Sequence, residues 1–554
     1  MYKQIITDLV STKLDVDKEI IERLINDVED NKMGDYAIPC FSLAKVMHRS
    51  PKQIADELAE TLVLPEEFDR CESVNGYLNF FVNREKFVHS TLNEVSAKGE
   101  NYGSSNIGRN KKCLIEHTST NPNASPHIGR ARNAMIGDFA TRLMRFEGYD
   151  VDVHYFVNDI GKQISMLVLG AKDKGDIKFE EILNLYIEIN EKVKENPELE
   201  KDVFDLLYKL EQGDEETRKE FRRIVDICIK GQVAILNEFG IDYDHYDYES
   251  QFLFNNSMNE ILDKLQEKGL LFEDADGRLV VNLESHNLSP LVVARGNKTS
   301  LYPLRDLAYT QYKCSQGADK NIIVLGEDQK LYDKQICAIM SELGFVPPEV
   351  IHYSFVLLAE GKMSTRNGTV VLLEDLMRDA IVKVKEKVVQ SGRNLSDDKI
   401  KNIAYGTIKY SILKASNDKN VVFDWDTALS FEGETGPYLQ YCYARIKSIF
   451  RKVDFDYSNF DSKLLSNEIE FDILKTINQF KNIIHSCARD YSPHLLCNYI
   501  HTLARKFSTY YHDYSVLNES NEEIKKARLN LLASVKQIFE TGLTLLGIEL
   551  IDEM

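Results

Sequence analysis

Two polar segments, far apart in this chain, carry residues suited to handling phosphate groups. Residues 127–130 read His-Ile-Gly-Arg, and residues 362–364 read Lys-Met-Ser within a glycine-containing polar turn. Imidazole, guanidinium and ammonium groups are donors that stabilise the negative charge of a phosphoryl group in transfer. The two segments together predict an ATP site formed by two distant loops. Its candidate residues are His127, Ile128, Gly129, Arg130, Lys362, Met363 and Ser364.

The spacing of apolar residues predicts the elements that position the first segment. An apolar run at 113–115 precedes it, another at 151–157 follows it, and apolar residues recur at helical spacing between Ile128 and Phe146. Such a strand-helix-strand unit favours a parallel sheet whose ligand crevice lies at the carboxyl ends of the strands. His127 would then lie at a helix N-terminus, where unpaired N–H groups and the helix dipole attract phosphate.

In order and context, the two segments resemble the paired signatures of class I aminoacyl-tRNA synthetases. The resemblance implies that an amino-acid carboxylate attacks the α-phosphorus of ATP and that pyrophosphate leaves. It implies His127 and Lys362 as the principal catalytic donors. Arg130 and Arg366 would assist, and Arg130 stands where the family usually has a second histidine. Thr365 replaces a second lysine, as in many arginyl-tRNA synthetases, and this suggests a loop that bound tRNA completes.

Carboxylates near the same crevice indicate which amino acid is activated. Glu116 lies near the end of the first predicted strand, and Asp306 lies in the first turn of a helix predicted to begin near Tyr302. Two carboxylates facing one crevice suit a guanidinium, a planar cation with five donors. These positions resemble, residue by residue, the amino-acid site of arginyl-tRNA synthetases. The resemblance implies Glu116, Tyr302 and Asp306 at the guanidinium, and it implies Asn121 and Gln329 at the α-amino group.

Structural interpretations of the same residues stay open at this point. Asp306 could simply favour its helix N-terminus, and Tyr302 could belong to the core. Glu116 could pair with Arg130 or Arg132.

The patterns predict a multidomain α/β protein. Residues 106–375 are predicted to form a Rossmann-type parallel-sheet catalytic domain with a helical insertion at about 165–250. Residues 1–105 are predicted to form an N-terminal α+β accessory domain, and residues 376–554 are helical almost throughout. The resemblance covers nearly the whole chain and implies that the first domain touches the tRNA elbow and that the all-α C-terminal domain binds the anticodon. Matching segments lie at 158–163, 431–441 and 542–548.

A net charge of −20 at pH 7 is unfavourable for an RNA partner, since lysine and arginine must neutralise phosphates. A local basic stripe can still bind tRNA, although ordinary solvated helix faces explain such stripes equally well. The candidate stripes are Arg445, Lys447, Arg451 and Lys452, and Lys525, Lys526, Arg528 and Lys536. The tyrosines that could stack on anticodon bases are Tyr438, Tyr441, Tyr443, Tyr510 and Tyr511. The expected tRNA contacts are Tyr438, Tyr441, Arg445 and Met554.

Composition narrows the class of protein further. The 554 residues suffice for roughly three or four domains. Nine cysteines without a C-x-x-C pair predict reduced thiols rather than disulfides or a structural metal site. No signal-peptide pattern or membrane-length apolar run is evident, which predicts a cytoplasmic protein. The resemblance implies a monomer with L-arginine, ATP and tRNA(Arg) as partners, and with Mg²⁺ accompanying ATP.

Two other functions stay open from the sequence. A class I synthetase or adenylate-forming relative with another amino acid would not depend on a guanidinium. A non-catalytic RNA-binding paralogue is suggested by Arg130 and Thr365, and ATP turnover would exclude it.

Overall fold

The computed structural model of the chain describes residues 1–28, 30–172, 174–296, 300–358 and 371–554. Contacts between residues divide the chain into two compact units. Unit 1 comprises Met1–Tyr102, Arg451–Gln479 and Arg505–Gln537. Unit 2 comprises Gly103–Phe450, Phe480–Ala504 and Ile538–Met554. The predicted domain boundaries at 105 and 375 stay predictions.

Unit 1 begins with a four-stranded antiparallel sheet in the order β1-β2-β4-β3, accompanied by five helices in the described residues. The strands are β1 Asn26–Asp27, β2 Tyr36–Pro39, β3 Phe68–Val74 and β4 Tyr77–Val82. The helices are α1 Tyr2–Ser11, α2 Lys18–Leu24, α3 Cys40–Met47, α4 Pro51–Thr61 and α5 Arg84–Lys98. Asn75 and Gly76 join β3 to β4 with φ of 51° and 82°, the left-handed pair that a tight hairpin needs.

Unit 2 is built on a five-stranded sheet in which all neighbours are parallel, in the order β12-β11-β5-β6-β7. The strands are β5 Lys112–Glu116, β6 Asp150–Val157, β7 His245–Tyr248, β11 Lys320–Gly326 and β12 Glu349–Tyr353. Cys113 of β5 pairs with Val151 of β6, so the first two predicted strands lie side by side. On the other side of β5, Glu116 pairs with Ile323 of β11. The predicted Rossmann-type parallel sheet is confirmed.

The remaining strands of unit 2 form two small sheets, one antiparallel and one parallel. The antiparallel strands are β8 Leu271–Glu273, β9 Leu279–Val281 and β10 Leu291–Ala294. The parallel strands are β13 Val356–Leu358 and β14 Val421–Phe423.

The remaining helices of the described chain belong to the sheet domain and to the C-terminal part. Those of the sheet domain are α6 Ile128–Phe146, α7 Lys162–Ala171, α8 Phe179–Glu195, α9 Pro197–Glu211, α10 Glu215–Glu238, α11 Gln251–Phe254, α12 Ser257–Glu267, α13 Tyr302–Ser315 and α14 Lys330–Glu342. The C-terminal ones are α15 Leu373–Gln390, α16 Asp397–Leu413, α17 Trp425–Ala428, α18 Gly436–Phe450, α19 Glu468–Asp490, α20 Pro493–Asp513 and α21 Glu522–Leu545.

The predicted insertion at 165–250 is a long connection within the parallel sheet. Helices α7 to α10 follow β6, and the chain then returns as β7, which pairs in parallel with β6 at the sheet edge. Gln232 of α10 is fully buried and donates to the carbonyl oxygens of Asn121 and Ala124, at 2.9 and 2.6 Å. The connection therefore also helps to hold the loop that follows β5.

Helix α6 packs closely behind the end of β5. A Cβ atom on Gly137 would lie 2.2 Å from Cγ of His117, so only glycine permits this approach. His117 is fully buried, and burial lowers its pKa to about 3, which keeps the ring neutral.

Arg132 of α6 is a buried structural residue. Its guanidinium is 0% exposed and donates to the carbonyl oxygens of Ser354, Lys419 and Ser416, at 2.6, 2.8 and 2.9 Å. Arg132 therefore satisfies carbonyl groups from two distant segments and is not the partner of Glu116.

We expect Arg132→Met to destabilise the protein by about 3 kcal/mol or more, because it leaves several buried carbonyl groups without donors. The melting midpoint should fall by more than about 5 °C. The control is Arg378→Met, which removes an exposed ion pair with Asp375 and should change the midpoint little. Equal melting of both variants would show that these buried bonds contribute nothing.

Candidate functional site

Two adjoining cavities lie at the carboxyl ends of the parallel strands, where α/β sheets bind their ligands. The strand-side cavity, about 280 Å³, lies against the ends of β5 and β11. The helix-side cavity, about 540 Å³, lies against α7 and α13. Both cavities are lined by Asn121, Asn158, Asp306, Gln329 and Tyr332.

All five residues predicted to contact the amino acid line these cavities. Glu116 lines the strand-side cavity and Tyr302 the helix-side cavity, whereas Asn121, Asp306 and Gln329 line both. Tyr302 is 54% exposed, so the interpretation of this residue as core is wrong. The fold thus gathers these side chains, while their roles stay predictions.

Five acidic side chains line these cavities, and two of them form a buried ion pair with a lysine or arginine. Glu116, at the end of β5, forms a buried ion pair with Lys313 of α13. Glu249, directly after β7, forms a buried ion pair with Arg305 of α13. An adjacent cation of this kind offsets the cost of burying a carboxylate.

Asp306 differs from these two carboxylates. It accepts a hydrogen bond from the hydroxyl of Tyr332 at 2.5 Å, and no lysine or arginine of the described chain forms an ion pair with it. Burial raises the pKa of Asp306 to about 7, helped by the nearby charges of Glu249 and Glu116 and opposed by the Tyr332 bond. Asp306 is therefore a carboxylate that a bound cation would stabilise.

The turn after β5 has an unusual backbone. Thr118 and Ser119 have φ of 72° and 41°, although neither is glycine. Two successive left-handed residues of this kind cost about 1–3 kcal/mol each and persist only where their surroundings hold them. The turn leads directly to Asn121.

Amide side chains surround Asn121 at the point where the two cavities meet. Its oxygen accepts from Nδ2 of Asn158 at 2.9 Å, and its Nδ2 donates to Oε1 of Gln163 at 3.3 Å. Asn123 also donates to Gln163, at 3.1 Å. The Asn121 side chain is thereby held in one orientation facing the cavities.

His127 lies at the N-terminus of α6, as predicted. Its Nδ1 accepts a hydrogen bond from the backbone N–H of Arg130 at 3.4 Å, so Nε2 carries the ring proton. Burial, with a smaller effect of Arg130, lowers the pKa of His127 to about 4. The ring is therefore a neutral donor at pH 7, and a Cβ on Gly129 would lie 3.0 Å from it.

The predicted residues of the second loop, Lys362, Met363, Ser364, Thr365 and Arg366, lie outside the described residues. The chain that follows is held against the start of α6. Ile128 donates to the carbonyl oxygen of Val371 at 3.1 Å, and Leu373 donates to that of Pro126 at 2.8 Å. The residues after the second segment thus contact the first segment.

Sequence reasoning missed several residues of the site. Lys313 lies seven positions after Asp306 in α13, a spacing that places both on one helix face and could have identified it. Glu249 follows a strand, which is a usual place for ligand-binding residues. Nothing in the local sequence distinguishes Tyr332, whereas Gln163 ends the matching segment 158–163.

Of the C-terminal residues, Tyr441 and Arg445 form one surface. Both are partly exposed, Arg445 donates to the Tyr441 hydroxyl at 2.5 Å, and its guanidinium lies 4.3 Å from the ring centroid. Tyr438 donates from its hydroxyl to the carbonyl oxygen of Ala504 at 3.4 Å. Met554, the last residue, is partly exposed.

The structure excludes some candidates for RNA contact. Tyr443 is 2% exposed and Tyr510 is fully buried, so neither ring can stack on a base. Arg528 is 8% exposed and bonds Glu470 and Glu519, so it is part of the core rather than of a basic stripe.

None of the helices in the described ranges is long and apolar enough to cross a membrane. Over the same ranges, no three His, Cys, Asp or Glu side chains are grouped so that they could hold a metal ion.

Comparison with protein families gives three matches that follow one another along the chain. Residues 1–82 match the arginyl tRNA synthetase N terminal domain. Residues 91–425 match the catalytic domain of tRNA synthetases class I (R), and residues 439–554 match the DALR anticodon binding domain.

Relatives and solved structures match over the full length. The arginine--tRNA ligase of Clostridium botulinum is 35% identical, with 100% of both chains covered. That of Methanocaldococcus jannaschii is 36% identical, covering 98% of this chain and 99% of its own. The arginyl-tRNA synthetase structure of Thermus thermophilus shares the fold with a TM-score of 0.85 and 24% identity, with 100% of both chains covered. That of Plasmodium falciparum has a TM-score of 0.83 and 20% identity, covering 100% and 99%.

Proposed function

The chain belongs to the arginyl-tRNA synthetase family, and we propose on that basis that it ligates L-arginine to tRNA(Arg). Arginine and ATP first form arginyl-adenylate with release of pyrophosphate. The arginyl group then passes to the terminal ribose of the tRNA.

The observation that carries the arginine assignment is the charge of the two cavities. Glu116 and Glu249 have cationic partners from α13, whereas Asp306 has none in the described residues. A substrate that brings one positive charge would supply the missing partner of Asp306. A guanidinium suits this role, because it matches a carboxylate with two parallel hydrogen bonds.

The arginine side chain is assigned to Asp306 and Tyr302, with Glu116 and Glu249 flanking it. The exposed face of Tyr302 offers a surface on which a planar guanidinium stacks. Asn121 and Gln329, which line both cavities, are assigned to the α-amino group. A site built around a guanidinium rejects amino acids that lack it, because its polar groups would be left unpaired.

ATP is assigned to the N-terminus of α6. The positive end of the α6 dipole attracts the phosphates, and the neutral His127 ring and the Arg130 side chain offer donors to them. Gly129 leaves open space beside the imidazole, and Ile128 carries the backbone bond to Val371. Mg²⁺ accompanies ATP, bound mainly by the phosphate oxygens of the nucleotide.

Lys362, Met363 and Ser364 are proposed to complete the ATP site, with Lys362 as the second principal donor. The anchoring of Val371 and Leu373 beside the first segment supports this pairing of the two loops. Thr365 leaves this loop with one lysine fewer than the usual pattern, and we propose that bound tRNA makes the loop competent.

The anticodon is assigned to the C-terminal helices. The surface formed by Tyr441 and Arg445 presents a ring and a guanidinium to unpaired bases, with Tyr438 and Met554 as further contacts. We propose that the enzyme acts as a monomer in the cytoplasm. Its nine cysteines are free thiols, which fits a reducing compartment.

Arginine-dependent exchange between ATP and labelled pyrophosphate, measured with and without tRNA(Arg), tests the proposal. Exchange with arginine but not with lysine, cysteine or citrulline is expected, and it should require tRNA. Exchange without tRNA would retain the enzyme but refute the proposed completion of the loop. The absence of exchange under both conditions would refute the catalytic function and favour an RNA-binding paralogue.

Arginine binding should depend on pH through Asp306. Below pH about 7 this carboxyl holds a proton that a bound guanidinium must displace. The dissociation constant for arginine should therefore rise about tenfold for each unit by which the pH falls below 7. Titration calorimetry in buffers of different ionisation enthalpy should show release of up to one proton.

Asp306→Asn should remove this pH dependence and weaken arginine binding by about 2 kcal/mol or more. The control is Asp333→Asn, which replaces another carboxylate that lines the strand-side cavity and lies 3.5 Å from His352. Unchanged pH dependence in Asp306→Asn would assign the titration to another group.

His127 can be tested with variants that separate its two functions. Asparagine retains an acceptor for the helix N-terminus but lacks the ring donor, whereas alanine lacks both. His127→Asn and His127→Ala should each slow adenylate formation about 100-fold. Only His127→Ala should also lose about 1 kcal/mol of stability. Normal adenylate formation in His127→Asn would limit the role of His127 to capping α6.

A further inference from the structure

The left-handed turn at Thr118 and Ser119 lies between the last residue of β5 and Asn121. Its conformation is intrinsically unfavourable for non-glycine residues, so nearby contacts must hold it. An observed backbone outlier at a ligand cavity is a reason to ask what holds it and what it positions.

Hydrogen bonds to uncharged groups hold Thr118 in the turn. Its N–H donates to Oδ1 of Asn133 at 2.6 Å, and its hydroxyl bonds the hydroxyl of Tyr243, also at 2.6 Å. All of these groups are buried or nearly buried and uncharged.

The Ser119 half depends on a charged group. The Ser119 hydroxyl donates to Oε1 of Glu116 at 3.2 Å and accepts from the backbone N–H of Phe156 at 3.3 Å. The other oxygen of Glu116 bonds the ammonium of Lys313. Without this cation, the buried carboxylate would move towards water and would cease to hold Ser119.

Lys313 is well placed to hold the Glu116 carboxylate in position. Its side chain is 1% exposed, and its ammonium lies 4.5 Å from the ring centroid of Tyr309. Tyr309 in turn donates to Asp247, which also bonds His154 at 2.6 Å. The lysine is thus held by a buried network and cannot turn to solvent.

We propose that Lys313 is a positioning residue that, by holding Glu116 on Ser119, keeps the strained turn in place and sets the location of the Asn121 side chain. This rests on the proposed function, in which Asn121 meets the α-amino group of arginine. Helix α13 then carries both Asp306, which receives the substrate cation, and Lys313, which orders the opposite wall of the site.

The primary test is Lys313→Met, with active-site titration to correct for the fraction of folded enzyme. The KM for arginine should rise about tenfold or more because Asn121 is misplaced, while the KM for ATP should change little. The matched control is Lys320→Met, which removes a lysine paired with Glu349 at 2.7 Å, outside both cavities. An unchanged arginine KM in Lys313→Met, or an equal rise in Lys320→Met, would overturn the proposal.

A second variant keeps the test valid if Lys313→Met does not fold. Glu116→Gln combined with Lys313→Met removes both charges but leaves an amide oxygen that still accepts from Ser119. Its arginine KM should lie well below that of Glu116→Met combined with Lys313→Met, in which nothing accepts from Ser119, although both double variants lack the Glu116 charge beside the substrate. Equal arginine KM values in the two double variants would show that the bond to Ser119 does not position Asn121 and would overturn the positioning role.

A third comparison tests the backbone. In the Lys313→Met protein, Ser119→Gly should lower the arginine KM, because glycine adopts a φ of 41° without strain, whereas Ser119→Ala should not. Equal effects of the two would refute a role of the strained turn. Wild-type enzyme without arginine-dependent exchange would refute the proposed function instead, so the two failures are distinguishable.

Discussion

Buried charge must be paired, and this constraint organises the centre of unit 2. Three carboxylates, Glu116, Glu249 and Asp306, meet at the carboxyl ends of the parallel strands, where solvation is incomplete. Helix α13 supplies Lys313 and Arg305 to the first two. The third, Asp306, accepts a hydrogen bond from a tyrosine hydroxyl and forms no ion pair with a lysine or arginine of the described chain.

Pairing also explains how a strained backbone survives there. The turn at Thr118 and Ser119 is unfavourable by itself, yet it leads to Asn121, which lines both cavities. Glu116 takes part both in the charge pairing and in holding the turn, because one of its oxygens bonds Lys313 and the other bonds Ser119. Stability and substrate positioning therefore depend on the same carboxylate, which makes its replacement hard to interpret without compensating variants.

Local patterns in the sequence predict much of this architecture. The apolar runs before and after residues 127–130 do form adjacent parallel strands, and the intervening periodic stretch forms α6 with His127 at its N-terminus. Charged and aromatic residues in the C-terminal helices were less informative. The positions of Arg528 and Tyr510 along their helices do not distinguish them from exposed residues, yet tertiary packing buries both against Glu470.

Strand periodicity, helix periodicity and motif spacing depend on neighbours along the chain, so the sequence alone determined the fold class, the family and the residues that surround the crevice. The tertiary structure decided which buried charges pair. Glu116 could have met Arg130 or Arg132, but its partner is Lys313, 197 positions away, while Arg132 bonds carbonyl groups. The partner of Glu116 depends on how α13 packs across the ends of the strands, and no local sequence pattern encodes a contact over 197 positions. For this reason the uncompensated charge of Asp306, which selects the substrate in our proposal, is visible only in the folded chain.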